Sequence, residues 1–391
     1  MMDKDFYNAY LVLQTIAYSD SFEAMVELFN CNSRIISDFT VVSSTNCNNS
    51  INLFSQFNKI PNIEMQLHTP FKGGKVNVIN NRILNDVLKN GEGKAGTEHN
   101  VSFDTQTVSY LNRYYKNQTK ELPENILAAI EVLKSNNVGT DYIPYTLENM
   151  VLHLVNEDVV LDSIFTFEKM FYKDTKSEKE CYRYSENLIK NYKEKTEIYK
   201  DMFYSVFLLI YACLLKMVLI QFSMKESTEK KMEAFCDFLQ NDLSRMAYPE
   251  LILAKRYFEK GQSCQFFGRI QKGRKDVFVS LKNMACDLFH LRNLVNGCSY
   301  KSQKNADAFI PYFFTFDKRL IGIKDCYELK GIAVNDKLNQ SFPFYSNIGE
   351  VIEYIKKYCT SQEINKRLEI KKAKDINQTI SSLEKQLSYF A

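Results

Sequence analysis

The spacing of apolar residues predicts a chain in which helices outnumber strands. The first hundred residues combine two helix-like segments, DFYNAYLVLQTIAYS and SFEAMVELFN, with a short strand at SDFTVVSST and a Gly-Gly turn in TPFKGGKVNVINN that leads into another strand. Apolar positions then recur at helical spacing almost without a break from about residue 155 to 276, and again in the charged segment 350–391. A further strand is predicted at KGIAVND. The pattern therefore predicts a mixed α/β chain with long helical parts.

Two stretches share a pattern in which a β-prone run leads to an aspartate. In VSFDTQTVSYL, the run VSF follows the polar loop 91–100 and leads to Asp104, and helical spacing begins at Thr105. In ADAFIPYFFTFDKRL, an apolar strand leads to Asp317. A single aspartate at a strand end is most often a turn residue or a helix N-cap. A functional interpretation therefore needs other acidic residues to converge on these two.

Two more acidic residues occupy comparable positions. Glu148, in YIPYTLENMVLHLV, is predicted in the first turn of a helix that Thr146 caps. Asp287 lies within the apolar helical pattern DVFVSLKNMACDLFHLRNLVNG. Glu157 and Asp158 compete with Glu148, but we expect them to lie too far along the same helix.

Asp307 precedes the second strand and is most simply a turn residue, although it is the natural substitute if Asp287 has no role. The clear helix PENILAAIEVLKSNN is predicted to begin at Pro123.

The order of these motifs resembles that of the PIN-domain nucleases. The strands that lead to Asp104 and Asp317, the helix start at Glu148 and the helix with Asp287 match the family's four acidic positions. The resemblance implies a PIN-like three-layer fold with a short parallel sheet. Its parts would be an N-terminal mixed region of unknown role (1–100), a catalytic core (101–154 and 277–335), a helical insertion (155–276) and a helical C-terminal tail (336–391). The insertion departs from the compact pattern of the family.

The four carboxylates predict metal-dependent chemistry. Ligands of open parallel sheets bind beyond the carboxyl ends of the strands, where we expect Asp104 and Asp317. Clustered carboxylates repel one another, and a bound divalent cation relieves that repulsion. Oxygen ligands favour Mg²⁺ or Mn²⁺ over zinc. We therefore expect Asp104 and Asp317 to bind the metal directly, with Glu148 and Asp287 completing the site, so that the ion activates water for phosphodiester cleavage.

Other side chains are candidates for supporting roles. Thr105 or Thr315 is expected to orient a carboxylate or a water molecule. Lys318 and Arg319 either bind substrate phosphate or are ordinary surface charges. His290 is more simply a packed histidine than a base.

The expected partner is a nucleic acid, with RNA favoured over DNA. The formal net charge of +3 is too small to argue for this by itself, but the basic run GRIQKGRK at 268–275 is a candidate contact with the phosphate backbone. Two alternatives remain open. One is a non-catalytic interaction or nucleic-acid-binding scaffold with a degenerate PIN-like core, and the other is a structure-specific DNA nuclease.

Composition limits the other classes of function. The ten cysteines contain no CxxC pair and only four histidines accompany them, which argues against structural zinc. The N-terminus MMDKDFYNAY lacks the features of a signal peptide, so we expect a reducing cytoplasm.

Two apolar patterns bear on membranes and partners. The apolar segment 202–224 approaches the length of a membrane span, but Lys216 near its middle favours a buried helix, and we expect no membrane contact. The stripe Ile376, Ile380, Leu383 and Leu387 in the tail would either pair two chains or fold back. The tail and the insertion are therefore both candidate interfaces with another copy or a protein partner.

Overall fold

The computed structural model is a mixed α/β protein, mostly helical, with two small sheets. It describes residues 4–47, 50–57, 60, 66–116, 126–136, 138–152, 156–172, 174–199, 203–300, 305–338, 340–370 and 375–390. The chain divides into two compact units. Unit 1 comprises Met1–Thr196, Asn293–Phe316 and Glu328–Ser346, and unit 2 comprises Glu197–Arg292, Asp317–Tyr327 and Asn347–Ala391.

The strands all belong to unit 1 and form two sheets. They are β1 (Phe39–Ser44), β2 (Ile51–Asn52), β3 (Leu67–His68), β4 (Lys75–Ile79), β5 (Thr97–Phe103), β6 (Gly139–Asp141), β7 (Ala308–Phe314), β8 (Leu329–Asn335) and β9 (Gln340–Tyr345).

The helices of unit 1 surround these sheets. They are α1 (Lys4–Ala17), α2 (Phe22–Ile36), α3 (Asn81–Asn90), α4 (Thr105–Tyr115), α5 (Ile126–Ser135), α6 (Ile143–Thr146), α7 (Glu157–Tyr172), α8 (Glu178–Glu194) and, at the boundary of the two units, α9 (Thr196–Tyr199). A π-helical segment, Leu147–Leu152, directly continues α6.

Unit 2 is helical in the residues that the structure describes, and α13 contributes residues to both units. The helices are α10 (Ser205–Ser223), α11 (Thr228–Asn241), α12 (Tyr248–Lys260), α13 (Val277–Gly297), α14 (Lys318–Ile321), α15 (Ile352–Tyr358), α16 (Ser361–Ile370) and α17 (Ile376–Leu387).

The four-stranded sheet contains the predicted parallel strands. Its order is β3-β7-β5-β6, and β5 runs parallel to both β6 and β7, whereas β3 is antiparallel to β7. Phe103 pairs with Phe314, so β5 and β7 end at the same edge. On one face, Phe103 packs against Phe167 and Phe171 of α7, which buries this end of the sheet.

The five-stranded sheet is antiparallel and joins distant parts of the chain. Its order is β2-β4-β1-β8-β9, and β1 pairs with β8 through residues 39–43 and 331–335. The N-terminal region thus shares a sheet with part of the chain that the resemblance assigned to the core. The strands predicted at SDFTVVSST, KVNVI and KGIAVND are confirmed.

Several predicted boundaries need correction. The segment 91–100 is only partly a loop, because β5 begins at Thr97. Segment 336–391 contains the strand β9 before its helices. Within the predicted insertion 155–276, residues up to Thr196 belong to unit 1 and the rest to unit 2. Pro123 lies outside the described residues.

The apolar helix α10 forms the centre of unit 2. Among helices in the described part of the chain, it is the one long and apolar enough to cross a membrane by length and composition, and 72% of its most apolar window is buried. Burial lowers the pKa of Lys216, whose ammonium lies 5.4 Å from the centre of the Phe238 ring. Such burial is typical of a core helix.

The tail folds back onto this core. Ile380, Leu383 and Leu387 of α17 are buried, and Tyr211 of α10 donates a 2.7 Å hydrogen bond to Glu384. Folding back is therefore the alternative that the structure supports for the apolar stripe.

Candidate active site at the carboxyl edge of the parallel strands

Asp104 lies where the central parallel strand ends. It directly follows β5, is 7% exposed, and caps α4 by accepting a hydrogen bond from the Thr107 backbone N–H at 2.6 Å. Its own backbone N–H donates to the Phe314 carbonyl of β7 at 3.2 Å. The predicted strand-to-helix transition at Thr105 is confirmed. These contacts hold Asp104 at the shared carboxyl edge of β5 and β7.

Glu148 reaches the same strand end through a hydroxyl group. The Thr105 Oγ1 donates a hydrogen bond of 2.5 Å to the Glu148 carboxylate. Glu148 lies in the π-helical segment after α6 rather than in a first turn. The predicted cap at Thr146 is wrong, because α6 begins at Ile143 and Thr146 is its last residue. Thr105, the residue after Asp104, therefore binds the Glu148 carboxylate beside the end of β5.

Two polar residues at this edge were missed from the sequence. Asp141 ends β6 and accepts hydrogen bonds from Asn100, Ser102 and the Ile143 N–H at 2.5, 2.9 and 2.8 Å. Burial raises the pKa of Asp141 even though these donors oppose the shift. The signal was the same as at Asp104, a short β-prone run that ends in aspartate.

The second missed residue is Gln66, which precedes β3. Its carbonyl accepts a 3.0 Å hydrogen bond from the N–H of Thr315, and Thr315 is 1% exposed. The side-chain oxygen of Gln66 is buried with no hydrogen-bond partner in the described part of the chain. No periodic pattern marks this residue, and only the pairing of β3 with β7 brings it to this edge.

Asp317 belongs to unit 2, and its surroundings differ from those predicted. Strand β7 ends at Phe314, so Asp317 does not end the strand but caps α14, accepting from the N–H of Arg319 at 2.8 Å. The Arg319 guanidinium also forms an ion pair with it at 2.8 Å. Burial raises the pKa of Asp317, but the Arg319 hydrogen bonds outweigh burial and lower it overall.

Arg319 therefore forms an ion pair with a carboxylate of its own unit. The hydrogen bond that Arg319 donates to Asp317 raises the pKa of Arg319, with a further contribution from Asp287 in the same unit. Lys318 is exposed. Asp287 is half-buried on α13, and His290 on the same helix is 5% exposed.

The alternative acidic residues have structural partners. Asp307 accepts hydrogen bonds from Arg82, Asn80 and the Gly96 backbone N–H. Glu157 and Asp158 do not share a helix with Glu148, because they begin the separate helix α7. Lys193 forms an ion pair with Glu157.

The basic run also has contacts within unit 2. Lys272 donates to the Phe222 carbonyl at 2.7 Å and lies over the Phe222 and Phe390 rings. Arg274 forms an ion pair with Asp276 at 2.6 Å.

Metal binding depends on the donors that each unit presents. No group of three or more His, Cys, Asp or Glu side chains suited to a metal ion occurs among the described residues. Asp104 and Glu148 supply two carboxylates at one edge, and Mg²⁺ is commonly held by one or two carboxylates together with water and substrate phosphate. The donors in unit 1 therefore fit a hydrated Mg²⁺ or Mn²⁺ ion better than a cage of protein ligands.

Comparison with protein-family models, curated proteins and solved structures finds no significant match to this chain.

Proposed function

We propose that this chain is a metal-dependent phosphodiesterase of PIN-like type that cleaves RNA. The observation that carries the proposal is the arrangement in unit 1, where Asp104 directly follows the central strand of a parallel β7-β5-β6 array and its neighbour Thr105 donates a hydrogen bond to Glu148. Carboxylates at this edge occupy the position at which open parallel sheets bind ligands. A bound Mg²⁺ or Mn²⁺ would generate a nucleophilic water and stabilise the leaving oxygen.

The chain's own residues would prepare that chemistry. Asp104 and Glu148 supply the anionic oxygens that bind the ion, and the Thr105 hydroxyl fixes the orientation of the Glu148 carboxylate. Asp287 and Asp317 are included in the proposed site because the order of their motifs along the chain resembles that of the PIN-domain nucleases. The ten free thiols support the proposed cytoplasmic location.

Asp104→Asn gives the decisive test. Asparagine caps helices about as well as aspartate, so the variant should keep its fold while losing a charge that the metal needs. We expect Mn²⁺-dependent cleavage of single-stranded RNA to fall by roughly two to three orders of magnitude. The matched control is Asp375→Asn, which changes the aspartate N-cap of α17 in unit 2. Equal cleavage by both variants would exclude the proposed site.

The contributions of unit 2 need a separate measurement. Asp287→Asn and Asp317→Asn should each lower cleavage if these acids act in the reaction. Comparing matched RNA, single-stranded DNA and flap DNA substrates distinguishes the ribonuclease from a structure-specific DNA nuclease.

A nucleic-acid-binding scaffold is the second candidate. The ion pair between Asp317 and Arg319 favours it, because a carboxylate neutralised by arginine is a poorer metal ligand. The scaffold would bind RNA equally well with and without Mn²⁺ and would leave the RNA intact.

A further inference from the structure

A cavity lies in unit 1, and it is separate from the carboxyl edge described above. Its volume is about 820 Å³, and its lining does not include Asp104 or Glu148. The walls come from the start of α2, from Cys47, from residues 50–51 at the start of β2, from residues 76–78 of β4, and from the loop 91–95. Cavities of roughly 300–1,000 Å³ typically hold small molecules.

Two polar groups in this cavity have unmet hydrogen-bonding capacity. Asn77 is 7% exposed and lines the cavity, and its carboxamide makes no hydrogen bond to the residues that the structure describes. The Ser50 hydroxyl lines the same cavity and is buried without a partner among those residues. A buried hydroxyl without a hydrogen bond is unfavourable, so a ligand that enters the cavity is expected to pair with Ser50, and the Asn77 carboxamide is available to the same ligand.

The loop wall is held in place before any ligand arrives. Gly91 ends α3 with a positive φ of 77°. Arg82 donates to the Lys94 carbonyl at 3.0 Å, and the Gly96 N–H donates to Asp307 at 2.8 Å. The cavity is therefore largely preformed, which lowers the entropic cost of binding.

The lining chemistry identifies a class of ligand. Asn77 presents a donor and an acceptor side by side, the pair with which asparagine reads nucleobase edges. Glu23 and Glu92 outnumber Lys94 among the charged lining residues, which disfavours a phosphate and suits sugar hydroxyls. We propose that this cavity binds a neutral nucleoside, with its base on Asn77 and Ser50 and its ribose towards the two glutamates. This site is independent of the proposed nuclease chemistry.

Calorimetric titration of the full chain tests the proposal. Adenosine, guanosine, cytidine and uridine serve as probes, and their 5′-monophosphates should bind more weakly than the best nucleoside. The substitution Asn77→Asp replaces the amide donor with an acceptor of equal size. It should therefore weaken binding by about tenfold or more. Asn30→Asp, an exposed change on α2, should leave binding unchanged. Saturable binding lost only in Asn77→Asp supports the site, whereas absent binding or equal binding by both variants overturns it.

A measurement on the unaltered protein remains informative even if Asn77→Asp fails to fold. Cys47 and Cys31 are both exposed, but only Cys47 lines the cavity. A saturating nucleoside should slow iodoacetamide labelling of Cys47 while that of Cys31 stays constant. Unchanged labelling of Cys47 would contradict occupancy of this cavity.

Discussion

The two ends of the parallel pair β5–β7 both carry acidic residues, but their hydrogen-bond donors differ. At the amino end, Asp307 accepts from the Arg82 guanidinium at 2.8 and 2.5 Å. At the carboxyl end, Asp104 accepts from a backbone N–H and Glu148 accepts from the Thr105 hydroxyl. One sheet therefore holds a carboxylate bound by a guanidinium at one edge. At the other edge, one carboxylate caps a helix and another accepts a hydrogen bond from a threonine hydroxyl.

This difference separates a structural role from a proposed chemical one. Burial raises the pKa of Asp307, but its hydrogen bonds, above all those from Arg82, lower it overall. An ion pair of this kind fixes the loop before β7 to α3 and leaves little charge for a ligand. The backbone N–H at Asp104 and the Thr105 hydroxyl at Glu148 are uncharged donors, and hydrogen bonds of this kind orient carboxylates that bind metals.

Removing the charge at the amino end should have the largest effect on stability. Asp307→Asn breaks an ion pair in which Asp307 is 10% exposed and Arg82 is 52% exposed, and we expect the free energy of unfolding to fall by about 1–2 kcal/mol in urea titrations. Asp104→Asn should cost less than about 1 kcal/mol because asparagine still caps α4. Cleavage per folded molecule should remain normal in Asp307→Asn. A larger loss of stability in Asp104→Asn than in Asp307→Asn would contradict this expectation.

Thr105→Val tests the role of the hydroxyl donor at the carboxyl end. The variant keeps the shape of the side chain but removes the hydroxyl that orients Glu148. Loss of such an outer contact should lower Mn²⁺-dependent cleavage by about tenfold. Thr379→Val, a similar change in α17 of unit 2, serves as the control. If both variants cleave at the same rate, Thr105 has no positioning role.

The stability that Asp307 contributes should depend on pH. Because the folded-state pKa of Asp307 lies below its ordinary value of 3.8, its contribution is complete above that value and is lost as pH falls through the lower, folded-state pKa. The difference in unfolding free energy between wild type and Asp307→Asn should therefore be constant near neutral pH and shrink in acid. A difference that widens in acid would contradict this sign.

The smallest predicted change concerns the corresponding pair in unit 2. Arg319→Gln removes the donor that lowers the pKa of Asp317, while the burial that raises it remains. The Asp317 pKa should therefore rise, which a carbon-13 NMR titration of the carboxyl group would measure. An unchanged value would mean that the Arg319 ion pair is weak in solution.

Local sequence determined many of the elements of the fold. The strand-to-helix transition at Asp104, the strands β1, β4 and β8, and the long helix α13 follow from periodicity and capping residues, which act over a few neighbouring positions. The same local pattern occurs at Asp141. Local sequence did not predict the π-helical segment of Glu148, because its backbone departs from ordinary helical spacing.

Only the tertiary structure decided what each acidic residue does. Asp307 looked like a turn residue because its main partner, Arg82, lies 225 positions away in the chain. In the same way, the length of α10 approaches that of a membrane span, and its contact with α17 through Tyr211 and Glu384 joins residues 173 positions apart in the chain. Whether a carboxylate stabilises the fold or is suited to a ligand depends on the charge and geometry of its nearest donors, and those donors come together only when distant segments pack.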